Sequence, residues 1–150
     1  MDDYTFTTHF SKDQQGKDAI QEGQAVLFSG LESNITEKTG ITQFGQSIAV
    51  FMRNDAGGIV GGIIGNTFGG WLDIFLLWVE KSLRGMGYGS RLMDMVESEA
   101  VSMGCTNAHL DTFSFEARAF YERLGYEMFA VLTDYPEGHL KCFLKKRLVS

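Results

Sequence analysis

The segment Arg84-Gly85-Met86-Gly87-Tyr88-Gly89-Ser90 constrains the fold more than any other part of this 150-residue sequence. It follows a nearly continuous apolar run, Trp71 to Val79, and precedes a run in which apolar residues recur at helical spacing. Three alternate glycines between a strand and a helix let a bulky ligand approach the backbone amides. The first amides of a helix have no intrahelical acceptor and lie at the positive end of its dipole. With the guanidinium of Arg84 beside them, these amides predict a binding site for a diphosphate.

The elements around this loop predict a mixed α/β fold. Ser47 to Met52 and Ile59 to Ile64 are β-rich runs joined by the turn residues 54–58, which predicts an antiparallel hairpin. The apolar run 71–79 is typical of a central strand covered on both faces. The order is an antiparallel N-terminal meander followed by β-loop-α-β-α-β-β. After the amphipathic helix, the predicted elements are a strand around Ala108–Leu110, a helix over Phe115–Leu124, and strands over Tyr126–Leu132 and Leu140–Leu144.

The N-terminal part is predicted to contain a strand and two helices. Thr5 to Phe10 has the composition of a first strand. Ser11 and Gln14 have the spacing of a capping box, which predicts that a helix begins there. Gly30 predicts a break, followed by a second short helix before Gly40.

Length and composition indicate one domain, residues 1–150, with an ordinary globular core. The net charge of -6 argues against nucleic acid as a partner, because phosphate contacts need a concentrated basic surface. No apolar run is long enough to span a membrane, and Met1 to Tyr4 lacks the features of a secretory signal. Cys105 and Cys142 are far apart and have no ligand-spaced partner, which indicates two reduced thiols, no metal and a cytoplasmic location.

Two other diphosphate-binding folds are less compatible with the loop. A P-loop requires a Lys-Ser or Lys-Thr pair at its end, which is absent. A Rossmann fold is favoured by Gly85-x-Gly87 and by Asp111 near the end of the next strand, where a ribose-binding carboxylate belongs. However, Ser90 occupies the third glycine position, and an antiparallel hairpin precedes the loop.

Two motifs resemble those of the GNAT superfamily of acetyltransferases. Arg84-x-x-Gly87-x-Gly89 is similar to its (Gln/Arg)-x-x-Gly-x-(Gly/Ala) signature, whose amides hold the pyrophosphate of acetyl-CoA. Ala117-x-x-Phe120-Tyr121-x-x-x-Gly125-Tyr126 resembles a second family motif at the expected distance. The likeness covers roughly Trp71 to Leu144, and the N-terminal part only by its order of elements. It implies a GNAT-like acyl-CoA N-acyltransferase fold, acetyl-CoA as co-substrate and no metal.

The resemblance also implies which residues bind the coenzyme. The end of the strand before the loop bulges away from its neighbour in this family, which frees backbone groups for the pantetheine arm. Ser114 stands where the family often has Asn, and its hydroxyl is the corresponding contact. The expected coenzyme-binding residues are Leu77, Trp78, Val79, Arg84, Gly85, Met86, Gly87, Tyr88, Gly89, Ser90, Ser114 and Tyr121.

Acetyl transfer to an amine requires a base and an acid. An alkyl amine has a pKa near 10.4, so only about one molecule in a thousand is unprotonated at neutral pH. By resemblance, Asp73 is the candidate base, because some GNAT enzymes carry a carboxylate at a matching distance before the loop; others use water. Tyr121 is the candidate acid that protonates the leaving thiolate.

The acceptor stays open among small amines, antibiotics, and peptide or protein amines, and a homodimer is compatible with the family. His139, in the turn 135–139, and Phe28 are weaker candidates for lining the acceptor cleft. His9 and His109 have no sequence partners that suggest chemistry. The alternative function is a non-catalytic acyl-CoA sensor, which would need neither Tyr121 nor Asp73.

Overall fold

Residues 4–44 contain one long helix, α1, which spans Gln14–Thr39. The computed structural model describes residues 4–150; residues 1–3, on which part of the argument against a secretory signal depends, lie outside it. The chain forms two compact units, which meet in sequence between Phe44 and Gly45.

Three predictions for the first unit are wrong. Residues 4–10 form no strand, and no other strand of the described chain pairs with them to satisfy their backbone groups. The helix is capped by Asp13, whose carboxylate accepts a hydrogen bond from the Gly16 amide at 2.8 Å. Gln14 does not reach back to a cap; its amide donates to Asp18 at 2.7 Å.

The predicted break at Gly30 is also absent, because α1 runs on to Gly40. An interior glycine costs only about 1 kcal/mol relative to alanine, too little to end a helix of 26 residues. Gly40 ends it instead, with φ at 75° and its amide bonded to the Thr36 carbonyl oxygen at 2.8 Å.

The second unit is built on a six-stranded mixed sheet. Its strands are β1 Ser47–Arg53, β2 Ile59–Phe68, β3 Trp71–Val79, β4 Asn107–Phe113, β5 Glu127–Thr133 and β6 Leu140–Arg147, in the sheet order β1-β2-β3-β4-β6-β5. The predicted hairpin is confirmed: β1 and β2 are antiparallel, and the Asn54 side-chain oxygen accepts the Gly58 amide at 2.9 Å in the turn. Only the β3–β4 pair is parallel. The 3₁₀ turn Lys81–Leu83 and helix α2 Tyr88–Ser102 lie between β3 and β4, and helix α3 Arg118–Arg123 lies between β4 and β5.

Helix α2 packs its apolar stripe on one face of this sheet. The buried side chains of α2 are Leu92, Met93, Val96 and Ala100, as its periodicity predicts. They share the core with Leu72 and Ile74 of β3. Phe75 and Trp78 are exposed, so β3 is central as expected but is buried on one face only. Within residues 45–150, no helix covers the other face of β3.

Glu97 of α2 ties the helix to the end of the chain. Its carboxylate accepts hydrogen bonds from the Tyr126 hydroxyl and the Lys146 ammonium, both at 2.8 Å. Burial raises the pKa of Tyr126, and the nearby Glu97 carboxylate raises it further. These two bonds fix α2 against Tyr126, which precedes β5, and against Lys146 of β6.

Cys105 and Cys142 are buried free thiols, and burial raises the pKa of Cys105. In residues 4–150, no group of three or more His, Cys, Asp or Glu side chains has the arrangement of a metal site. Among the described helices, none has the length and apolar character needed to cross a bilayer.

Candidate active site

The glycine loop leaves a row of backbone amides without acceptors. The first helical hydrogen bond of α2 runs from the Arg91 amide to the Gly87 carbonyl oxygen at 3.1 Å. The amides of residues 85–90 therefore precede that bond, and none has an acceptor within the described part of the chain. Gly87 is the N-cap, and no side chain caps the helix. Uncapped amides at the positive end of a helix dipole are suited to an anion.

The conformation of this loop depends on two glycines in the left-handed region. Gly85 has φ at 77° and Gly87 at 85°, where other residues are strained. A Cβ added at either position would meet no described atom within 4 Å, so both face open space. Open space beside these amides is what the predicted diphosphate site requires.

Gly89 has a different role, because it lets α2 approach α3. A Cβ at Gly89 would lie 3.2 Å from Phe120 Cζ, closer than most real contacts. The two sequence motifs thus meet in space. Gly89, at the end of the glycine loop, packs against the ring of Phe120, the residue before Tyr121.

Arg84 braces the loop against the end of β3. Its Nε donates a hydrogen bond to the Val79 carbonyl oxygen at 2.9 Å. That bond occupies the Val79 carbonyl oxygen, which is one of the backbone groups expected to face the pantetheine arm. It also fixes the guanidinium, which the sequence predicts to contact phosphate, close to the loop.

Strands β3 and β4 pair at their beginnings and then separate. The parallel ladder covers only Trp71–Ile74 against 107–110. Phe75 forms a β-bulge against β2, because the register shifts between Ile64 and Gly65. From residue 75 onward, the edge of β3 that faces β4 carries no partner strand among the described residues. The result is an opening between the two strands, and its β3 side continues through residues 80–84 to the glycine loop.

Leu77, Trp78 and Val79 form the wall of this opening. They pair with Ile63, Gly62 and Gly61 of β2, which holds the strand in place. Leu77 and Val79 pack against the core, whereas Trp78 is half-exposed. A thiol-bearing chain laid along this edge would add to the sheet like a strand.

Tyr121 lies in the buried core on the α2 side of the sheet. Its ring makes edge contacts with Phe120 and Tyr126, at centroid distances of 5.1 and 6.0 Å. Burial raises the pKa of Tyr121 to about 12, and the charges of Glu116 and Asp111 add to the effect. The phenol therefore keeps its proton throughout the physiological range.

Asp73 lies on the opposite face of β3 from Leu72 and Ile74, because successive side chains alternate. Its Oδ1 is 3.8 Å from Nδ1 of His109. Trp71 contacts the same imidazole edge-on, with 5.8 Å between ring centroids. These side chains, with Asn66, line a cleft of about 460 Å³.

The comparison with known proteins decides the family. The model of the acetyltransferase (GNAT) family matches residues 20–126, well over half of the chain. The chain belongs to the GNAT acetyltransferase family.

Named relatives of this acetyltransferase agree with the assignment. Blasticidin-S acetyltransferase of Streptomyces morookaense is 38% identical over 101 residues, which are 67% of this chain and 74% of the relative. The crystal structure of an acetyltransferase from Bacillus cereus ATCC 14579 is 31% identical, with a TM-score of 0.71 over 94% of this chain and 97% of that one. A crystal structure from Agrobacterium tumefaciens, 29% identical, gives a TM-score of 0.79 and covers 96% and 99% of the two chains. The predicted family and fold are confirmed.

The remaining predicted site residues of the acetyltransferase have these positions. Ser114 joins β4 to β6: its amide donates to the Leu140 carbonyl oxygen at 2.8 Å, and its hydroxyl accepts the Leu140 amide at 3.0 Å. His139 contacts the ring of Phe115 edge-on at 4.9 Å. Phe28 is an exposed residue of α1, in the first unit. For all three, the site roles stay predictions.

Sequence reasoning missed His109 as a functional candidate. His109 is one of several polar residues in β4, so the sequence alone does not single it out. Only the parallel register, which sets Asp73 opposite His109, shows that the two residues face each other.

Proposed function

We propose that residues 1–150 act as a single GNAT domain that transfers the acetyl group of acetyl-CoA to a primary amine by direct attack. One observation carries the proposal: β3 and β4 separate beside the uncapped, glycine-lined start of α2. The diphosphate would lie on the amides of residues 85–90. The pantetheine arm would then follow the free edge of β3 and bring the thioester into the opening.

Deprotonation of the acceptor is assigned to Asp73. An acceptor ammonium must lose one proton before its nitrogen can attack the thioester carbonyl. Asp73 lies two residues before the Phe75 bulge at which the strands separate, in an open cleft. A carboxylate there takes the proton directly or through one water.

Tyr121 is assigned to the leaving group. Attack breaks the C–S bond, and the thiolate then needs a proton. The pKa of about 12 for Tyr121 lies above the value of about 8.5 for an ordinary thiol, so the phenol does not ionise unaided. We assign it the transfer of the second amine proton: it donates its own proton to sulfur as it receives that one. The net reaction releases one proton to solvent.

The acceptor is tested with a panel of amines. Blasticidin S is the first probe, because a 38% identical relative bears its name. A polyamine, an aminoglycoside and a peptide with a free N-terminus complete the panel. Release of free thiol from acetyl-CoA is followed with each amine, and the acetylated product is identified by mass spectrometry. Amine-dependent thiol release is expected.

Two outcomes would contradict the proposal in different ways. If acetyl-CoA raises the melting temperature but no amine stimulates thiol release, the domain is a sensor. If NAD raises the melting temperature and acetyl-CoA does not, the loop binds another diphosphate, and the assignment of the site is wrong.

A further inference from the structure

A row of polar residues crosses the face of the sheet opposite α2. Asn66 of β2 lies opposite Asp73 of β3, and Asp73 lies opposite His109 of β4. The row continues to Lys145 of β6, the partner of His109 on its other side. Its members share one face, since directly paired residues in a sheet point the same way.

Within this row, Asp73 and His109 form a pair with access to water. Oδ1 of Asp73 and Nδ1 of His109 are 3.8 Å apart, within ion-pair range but longer than a direct hydrogen bond. The side chains are 46% and 42% exposed, respectively. Trp71 limits the imidazole on one side through its edge contact. Asn66 is held in place from β1, because its side-chain oxygen accepts a hydrogen bond from the Ser47 hydroxyl at 2.7 Å.

We infer that His109 positions the Asp73 carboxylate and carries the proton taken from the acceptor to solvent. This inference rests on the proposed function. The acceptor ammonium gives one proton to Asp73; Asp73 passes it to neutral His109, which releases it to water and returns to its neutral form. Asp73 is thus restored as a base in each turnover, and the proton that leaves is the one released by the net reaction.

The charged groups near His109 determine how its protonation would affect Asp73. Asp73 faces it from β3 at 3.8 Å and Lys145 faces it from β6, with the Lys145 ammonium over the Phe129 ring at 5.5 Å. Asp111, two residues along β4, is paired with Lys141 at 3.4 Å. Among the described side chains, Asp73 therefore supplies the carboxylate within ion-pair distance of His109. Protonated His109 would bind Asp73 as an ion pair, which weakens the carboxylate as a base.

The kinetic test uses His109→Gln, which keeps a polar side chain of similar length but cannot carry the proton. The matched control is His9→Gln, at an exposed position in the first unit. With the panel amine that wild type turns over fastest, kcat should fall about ten- to a hundred-fold at pH 7, with KM for acetyl-CoA unchanged. The defect should shrink as the pH approaches the acceptor's own pKa, about 10, because the amine is then already unprotonated and needs no base.

A second kinetic readout separates proton transfer from structure. Free imidazole should partly restore turnover to His109→Ala, because it can occupy the vacated space and accept the proton. A defect that is constant across the pH range and insensitive to imidazole would overturn the inference. So would wild-type kinetics in His109→Gln.

The pairing itself is tested without any acceptor. The ring resonances of His109 are compared by NMR in wild type and in Asp73→Asn at one pH. A change in the chemical shifts of the His109 ring, with unchanged shifts for the His9 ring, is expected because Asp73 lies 3.8 Å from His109; identical His109 shifts would overturn the inference. If the pairing is present but wild type turns over no amine, the proposed function fails instead, and the proton-carrying role fails with it.

Discussion

Exchange of Gly87 for alanine separates coenzyme binding from folding. Gly87 has φ at 85°, and a Cβ there would meet no described atom within 4 Å. Gly104, just past the other end of α2, has φ at 94° and equally open space. The two exchanges therefore impose similar backbone strain on the same helix, but only Gly87 lies in the proposed diphosphate cradle.

The stability effects should be nearly equal. A residue with a Cβ in the left-handed region costs about 1–2 kcal/mol. For a chain of this length, each kcal/mol lowers the melting temperature by about 2–4 °C, so each variant should melt roughly 2–8 °C below wild type. Neither cavity nor clash adds to this figure, because both positions face open space.

The response to acetyl-CoA should differ sharply. A methyl group in the cradle should remove at least one hydrogen bond to the diphosphate, worth about 1.5–3 kcal/mol, which weakens binding tenfold or more. At an acetyl-CoA concentration of 100 times the wild-type Kd, the ligand stabilises wild type by about 2.7 kcal/mol; a tenfold weaker variant gains only about 1.4 kcal/mol.

Differential scanning fluorimetry with and without acetyl-CoA measures both effects, and calorimetry gives Kd directly. Gly104→Ala should keep the full acetyl-CoA shift. Full retention of the shift in Gly87→Ala, or equal loss in both variants, would refute the placement of the diphosphate at this loop.

Three further predictions concern the chemistry and the core. Tyr121→Phe should leave the Kd of acetyl-CoA nearly unchanged and lower kcat by about ten-fold to a hundred-fold; parallel losses in steady-state kinetics and calorimetry would indicate a binding role instead. Asp73→Asn should lower the rate most at acidic pH, with recovery as the amine loses its own proton; a wild-type pH–rate profile would make Asp73 a bystander. Because burial raises the pKa of Tyr121 from 10 to about 12, the folded state holds this proton more tightly, and its contribution to stability should be lost as the pH rises from 10 to 12. Urea denaturation at pH 8 and pH 11 measures that loss, which Tyr121→Phe should reduce.

Much of the geometry of the glycine loop could be predicted from the sequence because its determinants are local. Glycines at 85 and 87 permit left-handed backbone, and the apolar stripe that begins at Leu92 specifies where the helix must face the core. Both properties belong to residues adjacent in the chain. The hairpin β1–β2 was predictable for the same reason, since its turn chemistry lies within residues 54–58.

Local patterns were insufficient wherever two weak signals compete. Ser11 and Asp13 are both good caps, and the Asp13 carboxylate at the Gly16 amide decides where α1 begins. Glycine is a common helix breaker, but the free-energy cost of Gly30 inside α1 is small compared with the cost of interrupting a long helix.

The pairing of Asp73 with His109 was decided by tertiary structure alone. The sequence determines that a carboxylate interrupts one strand and an imidazole another. It does not determine their register, because the alignment of β3 with β4 joins segments that are distant in the chain. A shift of one residue would move His109 to the buried face and leave Asp73 without its neighbour. The separation of the two strands after Ile74 has the same origin, since backbone pairing between segments distant in the chain is set by the packing of the whole sheet.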